Sequence, residues 1–288
     1  MKLRLAKEIG YCYGVRNAVE SAIEEADKKN GPVVTFGEII HNEHAVRVLR
    51  DQHGVDTIHR PEEIDRGTVV IRAHGVPPDT YRALAERGLN IVDATCPFVK
   101  KTHTIAKRLA DEGYFIVILG KHDHPEVIGI QGAIGVQCVV VEKSEDLEQV
   151  PMSTKIAVVF QSTTTVEANR YALGPIAERC NEMRVMNTIC DVTINRIEQA
   201  ERLAPHVNVI LVIGGKNSSN TKKLAIMCRH RVPRTFHIED VRELDAAELH
   251  ADDTVGIITG TSTPMFLVEE VVRELRKRFA VQEEMVVT

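Results

Sequence analysis

The chain has 288 residues, of which 43% are hydrophobic and 27% are charged, and its formal net charge is -5. This length exceeds one typical core and fits two or three lobes of ordinary globular composition. A slightly acidic chain with interspersed charges lacks the basic patch that binds nucleic acids or anionic membranes, so both partners are disfavoured.

The N-terminus and the cysteine content indicate the cellular compartment. Residues 1–8 contain no apolar leader core, and no apolar run approaches the roughly 18 residues of a membrane span. We therefore expect a cytoplasmic location. Six cysteines are too few for a disulfide scaffold at this length, and in a reducing compartment such thiols more often ligate metal or react.

Short β-branched runs that end in glycine or polar turns predict buried parallel strands. These runs are Val33–Phe36, Val69–Ile71, Phe115–Leu119, Ile156–Val159, Val209–Ile213 and Val255–Ile258. Helical patterns lie between them, and the clearest one puts six residues on one buried face. They are Val15, Ala18, Val19, Ala22, Ile23 and Ala26. The alternation predicts an α/β fold with mostly parallel sheets.

Three cysteines recur at a nearly constant phase. Cys12, Cys96 and Cys190 each precede a helical stretch and then a strand that ends in glycine, which lies 25, 24 and 24 residues beyond the cysteine. Such spacing indicates an internal repeat. We therefore predict three α/β lobes related by pseudo-threefold symmetry, and the alternative is that the shared phase is a coincidence.

Predicted lobe boundaries follow from the cysteines. The first lobe covers residues 1–96, the second covers 97–190, and the third covers 191–288 with a C-terminal tail. Residues 1–13 could pack with the third lobe instead. Ligands of open α/β sheets collect outside the carboxyl ends of strands, so each lobe would contribute one thiolate and two polar loops to a common centre.

Three thiolates at strand-to-helix turns favour an iron–sulfur cluster. Structural zinc sites usually contain closely spaced cysteine pairs, which this sequence lacks. A cubane held by three protein thiolates keeps one iron open as a Lewis acid for a substrate oxygen. The remaining cysteines, Cys138, Cys180 and Cys228, lie in apolar or helical settings and are expected to be structural.

The polar loops suit a phosphate or a diphosphate. Their donors are His41, His74, His124, Ser218, Ser219, Asn220 and Ser262. Glu126 follows two residues after His124 and could hold and deliver protons, or it could simply be an acidic residue at a helix N-terminus. The nine other histidines, including His103, are expected at the surface.

Several motifs, in this order, resemble the 4-hydroxy-3-methylbut-2-enyl diphosphate reductases, the IspH or LytB family. The motifs are Gly10–Val15, His41–Asn42, Ala73–Val76, Ala94–Pro97, Gly120–Val127, Lys216–Asn220 and Ser262. The resemblance covers nearly the whole chain. It implies an enzyme of the non-mevalonate (MEP/DOXP) isoprenoid pathway that removes the allylic hydroxyl of its diphosphate substrate with two electrons and two protons, giving isopentenyl diphosphate, dimethylallyl diphosphate and water.

The resemblance also implies roles for single residues. One 4Fe-4S cluster would have three cysteine ligands, Cys12, Cys96 and Cys190, and one open iron, which would bind the substrate oxygen. The diphosphate would bind His41, His74, His124, Ser218, Ser219, Asn220 and Ser262. Glu126 would be the proton donor or relay, with Ser162 and Thr163 completing the catalytic set, and electrons would come from a ferredoxin- or flavodoxin-type donor.

Two positions depart from the pattern of the family. Ser162 stands where the family commonly has threonine, which keeps the hydroxyl group but loses a methyl contact. Ile197 stands where the family usually has glutamine after Arg196. Neither departure touches an implied cluster ligand.

Three other functions remain open on the residues alone. A quinolinate-synthase-like dehydratase would share the three thiolates, but its dicarboxylate site requires arginine and only Arg72 lies near the loops. An iron–sulfur redox sensor would need an output surface such as a basic helix, which the sequence does not show. A metal-free phosphate-binding module is the third alternative.

Overall fold

The structure of the chain, a computed structural model, describes residues 1–287. Its strands are β1 (Lys2–Ala6), β2 (Val33–Phe36), β3 (Asp56–Ile58), β4 (Thr68–Ile71), β5 (Asn90–Asp93), β6 (Phe115–Leu119), β7 (Cys138–Val141), β8 (Ser153–Phe160), β9 (Cys180–Met186), β10 (Val209–Ile213), β11 (Thr235–Ile238), β12 (Thr254–Thr259) and β13 (Glu283–Val287). Its α-helices are α1 (Tyr13–Asp27), α2 (Glu43–His53), α3 (Pro78–Glu86), α4 (Pro97–Asp111), α5 (Pro125–Ile134), α6 (Val166–Ala177), α7 (Asp191–Leu203), α8 (Ser219–Arg231) and α9 (Met265–Arg278). Short 3-10 helices lie at Pro61–Glu63, Ser144–Gln149, Ala204–His206 and Val241–Ala247.

Three parallel sheets repeat one strand order. The first has the order β3-β2-β4-β5, and the second has the order β7-β6-β8-β9. The third has the order β11-β10-β12-β1, with β13 added outside β1. The predicted fold of three mostly parallel α/β lobes is therefore confirmed, and β1 occupies the place in the third sheet that β5 and β9 occupy in the others.

The six predicted strands are confirmed, and each is an inner strand of its sheet. Strand β10 shows why, because all five of its residues are buried. A strand covered on both faces is apolar throughout and is therefore conspicuous in a sequence. In the C-terminal tail, residues 283–287 form β13 beside β1; Thr288 lies outside the described residues.

The chain divides into two compact units. One comprises residues 1–15, 41–47 and 191–288 and contains the five-stranded sheet, while the other comprises residues 16–40 and 48–190 and contains both four-stranded sheets. Each sheet has an apolar core, with Leu3, Leu211 and Ile257 in the first unit and Val69, Val117 and Val158 in the second. The lobe boundaries at residues 96 and 190 stay predictions.

The helices within the described residues have at most 15 residues. None of them, within residues 1–287, is both long and apolar enough to cross a membrane.

Candidate active site

Each of the three phased cysteines stands immediately before the first residue of a helix. Cys12 precedes α1, Cys96 precedes α4 and Cys190 precedes α7. The strands before these turns are β1, β5 and β9, which occupy equivalent places in the three sheets. A helix N-terminus favours the thiolate form of cysteine, so all three turns share the same topology and the same electrostatic bias.

The same type of backbone hydrogen bond fixes all three turns. The N–H group of each cysteine donates a hydrogen bond to a carbonyl in the loop that follows the neighbouring strand, β12, β4 or β8. The acceptors are the carbonyl groups of Thr261, Ala73 and Ser162, at 2.9, 3.0 and 2.9 Å respectively. The repeated bond couples each cysteine turn to the polar loop beside it.

The chemistry of these turns fits an iron–sulfur group. All six cysteines, which lie within the described residues, are thiols and none forms a disulfide. Iron–sulfur clusters are held by cysteine thiolates and can gather them from separate turns, whereas structural zinc sites usually use closely spaced pairs. The backbone bonds hold the turns without using a thiol as the donor.

The other three cysteines belong to the apolar cores. Cys138 begins β7, Cys180 begins β9, and Cys228 is buried in α8. Burial raises the pKa of the Cys138 thiol and raises that of Cys228 to about 12. The Cys138 and Cys228 thiols therefore resist ionisation, which suits a structural role.

Glu126 is a buried carboxyl group held by Ser162. Only 1% of Glu126 is exposed. One of its oxygens accepts a hydrogen bond from the Ser162 backbone N–H, and the other accepts one from the Ser162 hydroxyl, both at 2.6 Å. Because Ser162 also supplies the carbonyl that anchors Cys190, a single residue connects the acid to a cysteine turn.

His124 is the residue that caps α5. Its Nδ1 atom accepts a hydrogen bond from the Glu126 backbone N–H at 3.2 Å, and its side chain is 6% exposed. A neutral imidazole that accepts at Nδ1 carries its proton on Nε2, so His124 can donate to an anion. The ring of His74 lies edge-on to that of His124, with centroids 5.4 Å apart, so two imidazoles share this part of the unit.

Gln161 orders the loop that contains Ser162 and Thr163. Its side chain accepts a hydrogen bond from the Lys121 backbone N–H at 3.0 Å and donates one to the Thr163 hydroxyl at 2.9 Å. Gly120 allows this packing, because a Cβ atom there would lie 2.8 Å from the Gln161 Cβ. The loops after β6 and β8 are thereby joined through a fully buried amide.

The first turn of α8 presents polar groups in the other unit. Ser218 is the N-cap, and its hydroxyl accepts a hydrogen bond from the Thr221 backbone N–H at 3.3 Å. Ser219 and Asn220 follow in the helix, and all three are at most 7% exposed. The Asn220 Nδ2 atom is buried and has no hydrogen-bond partner among residues 1–287. A buried donor without an acceptor at a helix N-terminus suits an anionic ligand.

His41 and Ser262 meet in this same unit. The Ser262 hydroxyl donates to the His41 carbonyl at 3.2 Å. Glycine at position 215 leaves room for the His41 carbonyl, because a Cβ atom there would lie 2.9 Å from that oxygen. Asn42, which is 1% exposed, caps α2 by accepting the Ala45 backbone N–H at 3.0 Å.

An acid anchors the start of α2. The buried Asp240 carboxylate lies 3.0 Å from His44 Nε2 and also pairs with Arg242. The hydrogen bonds from Arg242 lower the pKa of Asp240 to about 2. The contact holds the segment that follows His41.

Two basic side chains in the polar loops, Lys216 and Arg72, already have partners within the protein. Lys216 pairs with Glu243 at 2.5 Å, and half of its side chain is exposed. Arg72 donates to the Gly75 carbonyl at 3.4 Å and packs on Gly37. An arginine committed to backbone in this way disfavours a dicarboxylate site.

Comparison with known proteins identifies the family. The profile of the LytB protein family matches residues 3–276. The chain belongs to the LytB family. A LytB relative from Geobacter sulfurreducens, a 4-hydroxy-3-methylbut-2-enyl diphosphate reductase, is 41% identical over 277 residues, which is 96% of this chain and 98% of the relative. The enzyme of the same name from Aquifex aeolicus is 40% identical over 93% of both chains.

Two solved structures share the fold. One is (E)-4-hydroxy-3-methyl-but-2-enyl diphosphate reductase, the terminal enzyme of the non-mevalonate pathway, with a TM-score of 0.75 and 37% identity over 96% of this chain and 100% of that one. The other is the E-1-hydroxy-2-methyl-but-2-enyl-4-diphosphate reductase from Plasmodium falciparum, with a TM-score of 0.89 and 25% identity over 99% of this chain and 92% of that one.

The burial of two residues of this LytB chain is not evident from its sequence. His103 is half-buried rather than at the surface, so the expectation for it is wrong; its Nε2 atom has no partner within residues 1–287, and burial lowers its pKa. It lies against Gly129, where a Cβ atom would be 3.1 Å from that nitrogen. Arg196 is also buried, and its helical phase with Ala200 and Leu203 is the signal that could have revealed it.

Proposed function

We propose that this chain reduces 4-hydroxy-3-methylbut-2-enyl diphosphate to isopentenyl diphosphate and dimethylallyl diphosphate. The observation that supports this most strongly is the equivalence of the turns at Cys12, Cys96 and Cys190, each of which precedes a helix and donates to the loop of the neighbouring strand. Membership of the LytB family supports the same reaction.

The proposed reaction balances as a reductive dehydroxylation. The allylic C–O bond breaks, and the hydroxyl group leaves as water with one proton. Two electrons and a second proton form the new C–H bond. We propose a ferredoxin- or flavodoxin-type protein as the electron donor, since such carriers deliver electrons singly at low potential.

In this proposal Cys12, Cys96 and Cys190 hold a 4Fe-4S cluster through three thiolates, so that one iron has no protein ligand. When bound, the cluster would pass on the two electrons that the donor delivers one at a time, and would offer an open Lewis-acid site for the substrate oxygen. The protein supplies orientation, protons and exclusion of water.

Glu126 and Ser162 are the proposed proton path. When the carboxyl group is ionised, the Ser162 hydroxyl donates to it; when it is protonated, the acid can donate to the same hydroxyl at the same 2.6 Å separation. Protonated Glu126 can therefore give its proton to the Ser162 oxygen while the Ser162 hydroxyl passes its own proton on to the substrate, and neither residue has to change position. Thr163, which is fixed by Gln161, supplies a second hydroxyl in this loop.

The proposed diphosphate site uses oriented neutral donors and histidine. Its members are His41, His74, His124, Ser218, Ser219, Asn220 and Ser262. The buried donor of Asn220 and the N-terminus of α8 support this role, as does the Nε2 proton of His124. None of these residues is lysine or arginine, so a diphosphate would be bound by oriented neutral donors, histidine and the positive end of a helix.

Anaerobic purification followed by iron and sulfide counting tests the proposal first. We expect about four irons and four sulfides per chain. Addition of the allylic diphosphate with dithionite-reduced viologen should then give both five-carbon diphosphates. A colourless protein with stoichiometric zinc would contradict the cluster, and an intact holoprotein without turnover would contradict the reductase function.

The six cysteines provide matched variants for the same assay. Cys96→Ser should lose iron, because a ligand is removed. Cys138→Ser and Cys228→Ser, which alter packed thiols, should retain the iron content of the wild type. Loss of iron from either packed-thiol variant would show that the ligand set is wrong.

A further inference from the structure

Arg196 occupies a position where a charge is unexpected. It lies on α7 in phase with Thr193, Ala200 and Leu203, which form the buried face of that helix. Only 2% of Arg196 is exposed. A buried guanidinium group is costly unless its charge and its N–H groups find partners.

The hydrogen bonds of Arg196 leave most of its donors unused. Its Nη2 atom donates to the Gly10 carbonyl at 3.0 Å. Its Nε and Nη1 atoms are buried and have no hydrogen-bond partner in the part of the chain that the structure describes. Unsatisfied donors on a buried cation point to an anionic group that occupies this place in the functional protein.

The Gly10 carbonyl belongs to the turn that leads into Cys12. The Gly10 N–H donates to the Thr259 hydroxyl at 2.8 Å, and the Cys12 N–H donates to the Thr261 carbonyl at 2.9 Å. Gly10 has a φ of +81°, and a Cβ atom there would lie 2.6 Å from the Met265 sulfur. Arg196 is thus the third anchor of this turn, and it is the only one of the three that carries a charge.

Two acidic groups act on the guanidinium. Burial lowers the pKa of Arg196, whereas the charges of Glu8 and of a Cys12 thiolate raise it. Glu8 is exposed, so solvent screens its charge. Cys12 is the less exposed of the two residues.

We propose that Arg196 is a positioning residue for the Cys12 turn and supplies positive charge and N–H groups to the iron–sulfur group that Cys12 ligates. The inference rests on the proposed function. Positive charge and hydrogen bonds near cluster sulfurs favour the reduced, more negative state. Arg196 therefore raises the reduction potential and slows loss of iron.

Three substitutions separate charge from anchoring. Arg196→Met removes both, Arg196→Gln keeps a donor for the Gly10 carbonyl but removes the charge, and Arg196→Lys keeps the charge without the planar fork. The matched control is Arg202→Met on the same helix, where the arginine is 62% exposed and pairs with Glu198 at 3.8 Å.

The readouts are the midpoint potential of the reconstituted holoprotein, the rate of iron release to a chelator, and the electron paramagnetic resonance spectrum of the reduced state. We expect a more negative potential in the methionine and glutamine variants, and iron release about 10- to 100-fold faster in the methionine variant. The lysine variant should keep the wild-type potential more closely, and the Arg202→Met control should match the wild type.

Each result decides the inference. Wild-type potential and iron release in both neutral variants would overturn it, while the reductase function would stand. A wild-type chain that binds no cluster would overturn the proposed function and this inference with it. If the methionine variant does not fold, as judged by circular dichroism, the comparison of Arg196→Gln with Arg196→Lys, which both carry an N–H donor and differ in charge, decides the role of the charge.

Discussion

Both oxygens of the buried Glu126 carboxyl group accept hydrogen bonds from one residue, Ser162, at 2.6 Å each. One donor is the backbone N–H and the other is the hydroxyl. The orientation of the acid therefore depends only in part on the side chain of residue 162. Proton transfer and positioning can be separated by substitution.

Glu126→Gln should lower turnover about 100-fold or more, because an amide cannot supply the proton that general acid catalysis requires. The cluster content and the affinity for the diphosphate should persist, since the amide oxygen can still accept the Ser162 N–H. Steady-state kinetics, iron counting and calorimetry test this. The exposed Glu167, which pairs with Arg170, gives the control Glu167→Gln, and near-wild-type turnover in the Glu126 variant would reject the proton-path role.

Ser162→Ala and Ser162→Thr should behave differently. The alanine variant keeps the backbone bond to Glu126 but loses the hydroxyl, so we expect turnover to fall about 10-fold or more with little change in KM. The threonine variant keeps the hydroxyl and should retain turnover within a few-fold of the wild type. Equal activities of the two variants would show that the hydroxyl is not used.

Asn220→Ala should raise KM for the diphosphate about 10-fold, because it removes a buried donor that has no acceptor within residues 1–287. The thermal stability should change little. Ser218→Ala is the informative contrast, since it removes the cap of α8 and should cost about 1 kcal/mol of stability. Unchanged KM in the Asn220 variant would exclude this residue from the diphosphate site.

Asp240→Asn should lower the free energy of unfolding at pH 7 by about 1 kcal/mol, a value reduced by solvent screening because Arg242 is 73% exposed. Folding lowers the pKa of Asp240 to about 2, so the ionised group stabilises the fold above the ordinary aspartate pKa near 3.9. This contribution is lost as the pH falls from about 4 to about 2.

Urea unfolding at a series of pH values checks the prediction. The difference in the free energy of unfolding between the wild type and Asp240→Asn should have its largest value at pH 7 and should shrink below about pH 4. The exposed Asp252 supplies the control Asp252→Asn. A difference that grows on acidification would have the wrong sign and would assign the effect to another group.

The inner strands could be predicted because burial on both faces makes them continuously apolar. The edge strands could not, and β9 is the clearest example, because only Cys180, Met183 and Met186 in it are even partly buried. Strand β1 is an inner strand, but Lys2 and Arg4 interrupt its apolar pattern. Its pairing also depends on residues more than 250 positions away, which no local pattern contains.

The phase of the three cysteines could be read from spacing because the repeat preserves the distance along the chain. The bonds from their N–H groups could not, since each acceptor lies in a loop that is distant in sequence. Glu126 was expected either as a proton donor or as a helix-end acid, and its contact with Ser162 depends on tertiary packing across 36 residues. The proposed catalytic roles stay predictions.

The position of β1 has a consequence for the order of assembly during synthesis. Lys2–Ala6 is synthesised before its sheet neighbours Thr254–Thr259 and Glu283–Val287. At roughly 5 to 20 residues per second this strand waits about 10 to 50 s for its partners. The turns at Cys96 and Cys190 need only carbonyl groups made before them, whereas the turn at Cys12 needs Thr261. Any cofactor that requires the ordered turn at Cys12 is therefore inserted only after residue 261 has been synthesised.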